Sequence, residues 1–173
     1  MQVDFFNSGC QSVSSKKEFG ICDDVPPPHS PAYIKEDEGE KWIAVVTNFY
    51  EEGIHFVAVD NCIPLKRKDG EDAQKCDGFL FFNKTIIFVE LKVRRGKESR
   101  KWKDEATEQL KETIRLFEQQ NKAKQFNTKM AYIANKKYPK PNVKNQKRAE
   151  QFFDETGYTL KIQNRINIPE DEN

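Results

Sequence analysis

Two carboxylates and a lysine stand out in the segment Cys76-Asp77-Gly78-Phe79-Leu80-Phe81-Phe82-Asn83-Lys84-Thr85-Ile86-Ile87-Phe88-Val89-Glu90-Leu91-Lys92. Between the charges lie two runs of bulky apolar and β-branched residues, the composition of buried strands. Asn83-Lys84 separates the runs, and asparagine tolerates the positive φ that a two-residue hairpin needs at its first turn position, although lysine is not the favoured second residue. If those two residues are the whole turn, Phe82 pairs with Thr85 and the register carries Asp77 opposite Glu90. Alternation puts Glu90 and Lys92 on one face and Val89, Leu91 and Val93 on the other. Like charges facing each other between apolar strands destabilise a sheet unless something compensates. One carboxyl can keep its proton, Lys92 can neutralise the pair, or a divalent cation can bridge it.

The elements that must position this hairpin can be read on either side of it. Trp42, Ile43, Val45, Val46, Phe49 and Tyr50 recur at helical spacing and run into Glu51-Glu52-Gly53, which predicts a first helix. Ile54 to Val59 reads as a strand, followed by a hydrophilic loop over Lys66 to Lys75. Beyond the hairpin, Trp102, Ala106, Leu110, Thr113, Ile114 and Phe117 mark an amphipathic helix from about Glu98 to Gln120. Lys129 to Ala134 predicts a further strand, Tyr138-Pro139-Lys140-Pro141 breaks the chain, Val143 to Thr156 predicts a helix stopped by Gly157, and Tyr158 to Ile168 a last strand. The order α-β-β-β-α-β plus a C-terminal α-β predicts one α/β domain over residues 36–168, a central mixed sheet flanked by helices. Residues 1–35, with Val25-Pro26-Pro27-Pro28-His29-Ser30-Pro31, read as an irregular N-terminal arm, and residues 169–173 as an acidic tail.

Composition narrows the chemistry. A chain of 173 residues with 13 Phe, 5 Tyr and 2 Trp has the bulk for one core. Its apolar runs are far shorter than the roughly 20 residues that cross a bilayer, and no basic-then-apolar leader opens it, so a cytoplasmic protein without a membrane partner is expected. Cys10, Cys22, Cys62 and Cys76 form no C-x-x-C pair and are expected as reduced, mostly buried thiols. With His29 and His55 the only histidines, carboxylates and lysines are the abundant reactive groups. The net charge of +1 conceals an asymmetry: residues 1–90 hold 9 Lys/Arg against 16 Asp/Glu, and residues 91–173 hold 20 against 12. An acidic centre beside a basic half suits an enzyme acting on phosphate backbones. Arg94, Arg95 and Lys97, with Lys136, Lys137, Lys140, Lys144, Lys147 and Arg148, are the candidate nucleic-acid-binding residues. The bland alternative is a solvated face.

An aspartate ending a strand, a hairpin, and Glu-x-Lys on the next strand together resemble the signature of the PD-(D/E)XK nuclease superfamily, here Cys76-Asp77 … Glu90-Leu91-Lys92. The element order expected over residues 38–135 is similar to that superfamily's restriction-endonuclease-like core. Cys76 stands where the signature has proline, a position that carries no catalytic atom. The resemblance implies that Asp77, Glu90 and the main-chain carbonyl of Leu91 bind Mg²⁺ or Mn²⁺, while Lys92 orients the attacking water and stabilises charge on the phosphorus oxygens. It implies hydrolysis of phosphodiester bonds, DNA ahead of RNA and internal bonds ahead of ends, in restriction and defence or in recombination and repair. It also brings in Glu40, as the acid some members supply from the first helix, and Gln109, which matches a helical glutamine beside the active site in some families. The tyrosine that follows that glutamine is absent, since Thr113 and Ile114 stand there. Cutting both strands together would require a two-fold homodimer, and Phe5, Phe6, Phe19 and Ile21 of the arm could cover either a neighbouring copy or their own core. The competing reading is a catalytically inactive protein of the same fold, acting as an accessory subunit that binds nucleic acid or a partner.

Overall fold

The computed structural model describes residues 3–94, 99–137 and 145–171. In chain order these hold β1 (Gln11–Ser14), β2 (Glu18–Cys22), β3 (Tyr33–Lys35), β4 (Ala44–Thr47), β5 (Ile54–Ala58), β6 (Gly78–Phe82), β7 (Thr85–Lys92), α1 (Ser99–Glu118), β8 (Thr128–Asn135), α2 (Gln146–Thr156), β9 (Thr159–Ile162) and β10 (Arg165–Asn167). A six-stranded sheet runs in the order β1-β5-β6-β7-β8-β9, antiparallel from β1 to β7 and parallel from β7 to β9. A second sheet of four strands runs β10-β4-β2-β3, with β10 parallel to β4. Among the described residues no helix is long and apolar enough to cross a membrane.

Period-two alternation along β6, β7 and β8 sorts side chains into two cores. Phe79, Ile86, Phe88, Ala131 and Ile133 face the helices, where Trp102, Ala106, Leu110, Ile114 and Phe117 form the apolar stripe of α1. Leu80, Phe82, Ile87, Val89, Tyr132 and Ala134 face the second sheet and meet Phe19, Ile21, Ala44, Val46 and Ile166. The larger sheet is thus buried on both faces, which explains why β6 and β7 read as unbroken apolar runs. The molecule is an α/β structure in which one mixed sheet is flanked by two helices on one side and a smaller sheet on the other.

The hairpin follows the expected register. Phe82 pairs with Thr85 and Gly78 with Val89, and Asn83 turns at φ 46°. The long helix, the strand after it, and the shorter helix capped by Gly157 at φ 77° also lie where the pattern puts them. Their expected starts at Glu98 and Val143 fall outside the described residues.

Three expectations are corrected. The first helix is absent: a 3₁₀ turn at Gly39–Lys41 leads into β4, whose alternate residues Ala44 and Val46 are buried, while Phe49 and Tyr50 project into solvent. Ile43, Val45 and Val46 fit both periodicities, and their β-branched character favours the strand. The arm is not irregular either. It supplies β1, β2 and β3, and Phe5, Phe19 and Ile21 are buried in the chain's own two cores. The single C-terminal strand is two, β9 and β10, placed in different sheets.

The thiols are corrected as well. Cys10 and Cys62 form a disulfide, while Cys22 and Cys76 are free and buried. Joining residues 52 apart in sequence ties the amino-terminal segment to the loop after β5. Closing a loop of that size is worth about 4 kcal/mol in the chain-entropy account. Dithiothreitol is therefore expected to lower the melting temperature of the wild type and to leave a Cys10→Ser variant unmoved. Gly78 is fixed by another constraint. A Cβ there would lie 2.4 Å from the Val57 carbonyl oxygen and 2.6 Å from the Phe56 ring. Because the nearest obstacle is backbone in a central strand, Gly78→Ala is expected to cost about 3 kcal/mol, read as a lower urea midpoint.

Candidate active site

The β6–β7 register, continued one step beyond Gly78, sets Asp77 opposite Glu90. The Asp77 N–H donates to Glu90 Oε2 at 3.2 Å, and the Leu91 N–H donates to Asp77 Oδ2 at 2.7 Å. Both acids are buried, with relative exposures of 9% and 3%. Lys92 lies two residues along the same face, with Nζ 3.2 Å from Glu90 Oε1 and 3.0 Å from Gln109 Oε1. Gln109 projects from α1 and is itself fixed by its Nε2 donating to the Lys75 carbonyl at 3.3 Å. Asp77, Glu90, Lys92 and Gln109 therefore meet at one strand end. An open cavity of about 500 Å³ adjoins them, lined by Gln74, Lys92, Asp104, Glu105, Glu108 and Gln109.

Burial dominates the electrostatics. It pushes the Asp77 carboxyl up to about 7, against the pull of the Leu91 N–H and Lys92, with Asp23 and Asp60 adding to the rise. Burial and the neighbouring Asp77 hold Glu90 well above the usual carboxylate range, although Lys92 opposes them. One ammonium does not balance the two acids. The buried Cys76 thiol is pushed up in the same way, which makes it a poor nucleophile.

Asp77 and Glu90 offer a pair of oxygen-bearing, desolvated, mutually repelling groups. Among the described residues no three His, Cys, Asp or Glu side chains form a ready-made metal cage. Two carboxylates are nonetheless the share that Mg²⁺ commonly takes from a protein when water and substrate phosphate complete its shell. The donor set fits that ion.

Other expected residues divide. Glu40 sits in the exposed 3₁₀ turn rather than on a helix, and its carbonyl accepts from Lys136 Nζ. Lys136 and Lys137 are exposed just past β8, beside the end of β7, where the Lys136 N–H donates to the Lys92 carbonyl at 3.0 Å. Arg94 is exposed at the same edge. Lys147 is exposed on α2, whereas Arg148 binds Asp104 at 2.8 Å and Thr107 at 3.2 Å, joining α2 to α1. Arg95, Lys97, Lys140 and Lys144 lie outside the described residues.

Three further residues contribute to the site. Asn135, 1% exposed, accepts the N–H groups of Arg94 and Lys137 at 3.1 Å each and donates to the Arg94 carbonyl at 2.8 Å, clamping the ends of β7 and β8 together. Thr113 takes the Cys76 N–H at 2.9 Å and gives its own proton to the Gln109 carbonyl at 2.8 Å, so α1 is tied to the residue before Asp77. Asp23, which follows β2, reaches the neighbourhood of Asp77 and Asp60 only because the smaller sheet covers the larger. An asparagine at the end of an apolar strand was a visible signal. Asp23 offered none, since its strand pairs with residues far along the chain.

No family model, curated protein or solved structure matches the chain.

Proposed function

We propose that the chain is a divalent-metal-dependent nuclease that hydrolyses phosphodiester bonds, with DNA as its first substrate to test. The observation that carries this reading is the meeting of Asp77 and Glu90 across a hairpin, with Lys92 hydrogen-bonded beside them. Buried carboxylates that repel each other are costly to keep, and their cost is recovered where a cation is bound. Asp77 and Glu90 would hold Mg²⁺ or Mn²⁺, with the Leu91 carbonyl as a further main-chain donor. The ion, when bound, would supply an activated water and charge stabilisation at the phosphorus.

The remaining roles belong to the chain. Lys92, oriented by Gln109 and Glu90, presents a fixed positive charge to the oxygens that gain negative charge in the transition state. Asn135 and Thr113 hold the two strand ends and the helix at fixed separation, which keeps that charge aimed. Lys136, Lys137 and Arg94 would neutralise backbone phosphates on the side of β8.

Incubating the protein with supercoiled plasmid, with EDTA or with Mg²⁺ or Mn²⁺, tests the reading. Nicking that needs metal and is absent from Asp77→Asn supports it. An intact plasmid under every condition would instead favour the accessory-subunit reading.

A further inference from the structure

Contact between β5 and the chain leading into β6 continues past the Ala58–Gly78 pair. The Val59 N–H donates to the Asp77 carbonyl at 2.9 Å, and the Asp60 N–H donates to the Cys76 carbonyl at 3.2 Å. The turn after β5 therefore holds the main chain of the first candidate metal ligand. That turn is tight. The N–H groups of Cys62 and Ile63 both donate to the Val59 carbonyl, at 3.1 and 2.8 Å, and Asn61 lies at φ 60°. Cys62 is bonded to Cys10, which directly precedes β1, and Gln11 at the start of β1 pairs with Val57. The disulfide thus closes a small ring through residues 57–62, the same residues that carry Asp77 from behind.

Two properties separate this bond from a staple sealed in a core. Cys10 and Cys62 are only half-buried, each at the margin of a different core, whereas the free Cys22 and Cys76 are 1% and 0% exposed. A reductant in solution reaches the bond. Both ends also keep other anchors when it opens. Phe5 is buried against Phe79 and Phe117, Gln11 to Ser14 remain paired with β5, and Ile63 and Leu65 are buried. Breaking the bond leaves the fold standing and releases the turn at residues 59–62. A released turn samples more conformations, and that freedom must be given up again when Asp77 is fixed on a cation.

We infer that the Cys10–Cys62 bond is a redox switch on the candidate metal site: closed, it holds Asp77 ready for a cation, and opened by a dithiol it lowers the affinity for one. The inference rests on the nuclease reading and names a regulation of its site. The exchange is balanced. A thiolate of the dithiol bonds to one cysteine sulfur, and the other cysteine leaves and takes a proton. The second thiol of the reductant then displaces the first cysteine, which is protonated in turn, so the S–S bond is reduced and the reductant ends as a disulfide. The site is thereby favoured in an oxidising compartment and damped where thiols are kept reduced.

The test compares oxidised wild type, the same protein reduced with dithiothreitol and desalted without air, and the double variant Cys10→Ser, Cys62→Ser. In EDTA, amide hydrogen exchange at Val59 and Asp60 is expected to quicken roughly tenfold on reduction while the β7–β8 ladder keeps its protection. Calorimetric titration is expected to show Mn²⁺ bound about tenfold more weakly by the reduced protein and by the variant, with recovery on reoxidation in the wild type alone. Linkage is reciprocal, so saturating Mn²⁺ should make the bond about tenfold harder to reduce in a dithiothreitol titration. Unchanged exchange at Val59 and Asp60, or Mn²⁺ affinity that ignores the redox state, would each overturn the switch. Plasmid cleavage at subsaturating Mn²⁺ is read separately on the same samples. Redox-dependent Mn²⁺ binding without cleavage in either state keeps the switch and sinks the nuclease reading, and cleavage at one rate in both states does the reverse.

Discussion

Lys92→Ala is expected to lower the turnover of metal-dependent cleavage on the order of 100- to 1,000-fold, the usual effect of removing one preorganised donor from a developing oxyanion. Two contacts define why the loss falls on turnover. The ammonium lies 3.2 Å from Glu90 Oε1 and 3.0 Å from Gln109 Oε1, so it is positioned by the protein before substrate arrives. An interaction that strengthens only as charge develops changes kcat and leaves KM nearly alone. The same geometry has an opposite consequence for the metal. Lys92 competes for a Glu90 oxygen, so Lys92→Ala is expected to bind Mn²⁺ at least as tightly as the wild type. Single-turnover cleavage and calorimetric Mn²⁺ titration on one preparation check both halves. Weakened Mn²⁺ binding with unchanged single-turnover rate would assign the lysine to holding the fold.

Asp77→Asn carries the second large effect, on stability. Folding raises the Asp77 carboxyl from its ordinary value of 3.8 to about 7. A raised carboxyl favours the fold in its protonated form, so its contribution is complete below pH 3.8 and is lost as pH climbs through about 7. The loss amounts to roughly 4 kcal/mol by the time the group is fully charged. Glu90, raised in the same direction, steepens the decline. Without metal, the wild type is expected to become less stable from about pH 4 to just above pH 7. Asparagine preserves the acceptor for the Leu91 N–H but cannot ionise. Asp77→Asn in EDTA should therefore show a flatter profile and exceed the wild type at pH 8. Adding Mn²⁺ should restore the wild type at pH 8 and leave the variant where it was. Coincident profiles for the two proteins, with and without Mn²⁺, would remove Asp77 from any metal site. The two variants separate the roles, one read in turnover and the other in linkage between protons, metal and folding.

What was legible in the sequence is local. The turn at Asn83-Lys84 set the strand register, and the register set the carboxylates face to face, because the counting needs no information from beyond the hairpin. The apolar stripe of α1 likewise depends only on helical spacing, whereas Gln109 was singled out by the resemblance and not by the stripe. Where partners are distant, the signal vanishes. β1, β2 and β3 are three to five residues long and owe their existence to pairings such as Ser12 with Phe56 and Phe19 with Val46. Read alone, those segments are too short to show a period, and a proline-rich connection separates β2 from β3. Trp42 to Tyr50 misled for a different reason: a short run of β-branched and aromatic residues satisfies both periodicities, and only the covering position of β4 on the larger sheet decides between them. The Cys10–Cys62 bond and the approach of Asp23 to Asp77 share that origin, since both follow from how the amino-terminal strands are laid over the rest.

The place of β4 between β2 and β10 has a bearing on how the chain is made. Val46 is paired on one side with Phe19, which leaves the ribosome before it, and on the other with Ile166, which emerges well over a hundred residues later. The β6–β7 hairpin closes over a two-residue turn and can form early, whereas the β4–β10 ladder must wait until Arg165–Asn167 has emerged. During synthesis, then, one border of β4 stays open. It presents the free backbone groups of Val45 and Thr47, the kind of unpaired border that recruits a strand from another nascent chain. Arg165 and Asn167, exposed on either side of Ile166, put a charge and an amide on the strand that finally covers it.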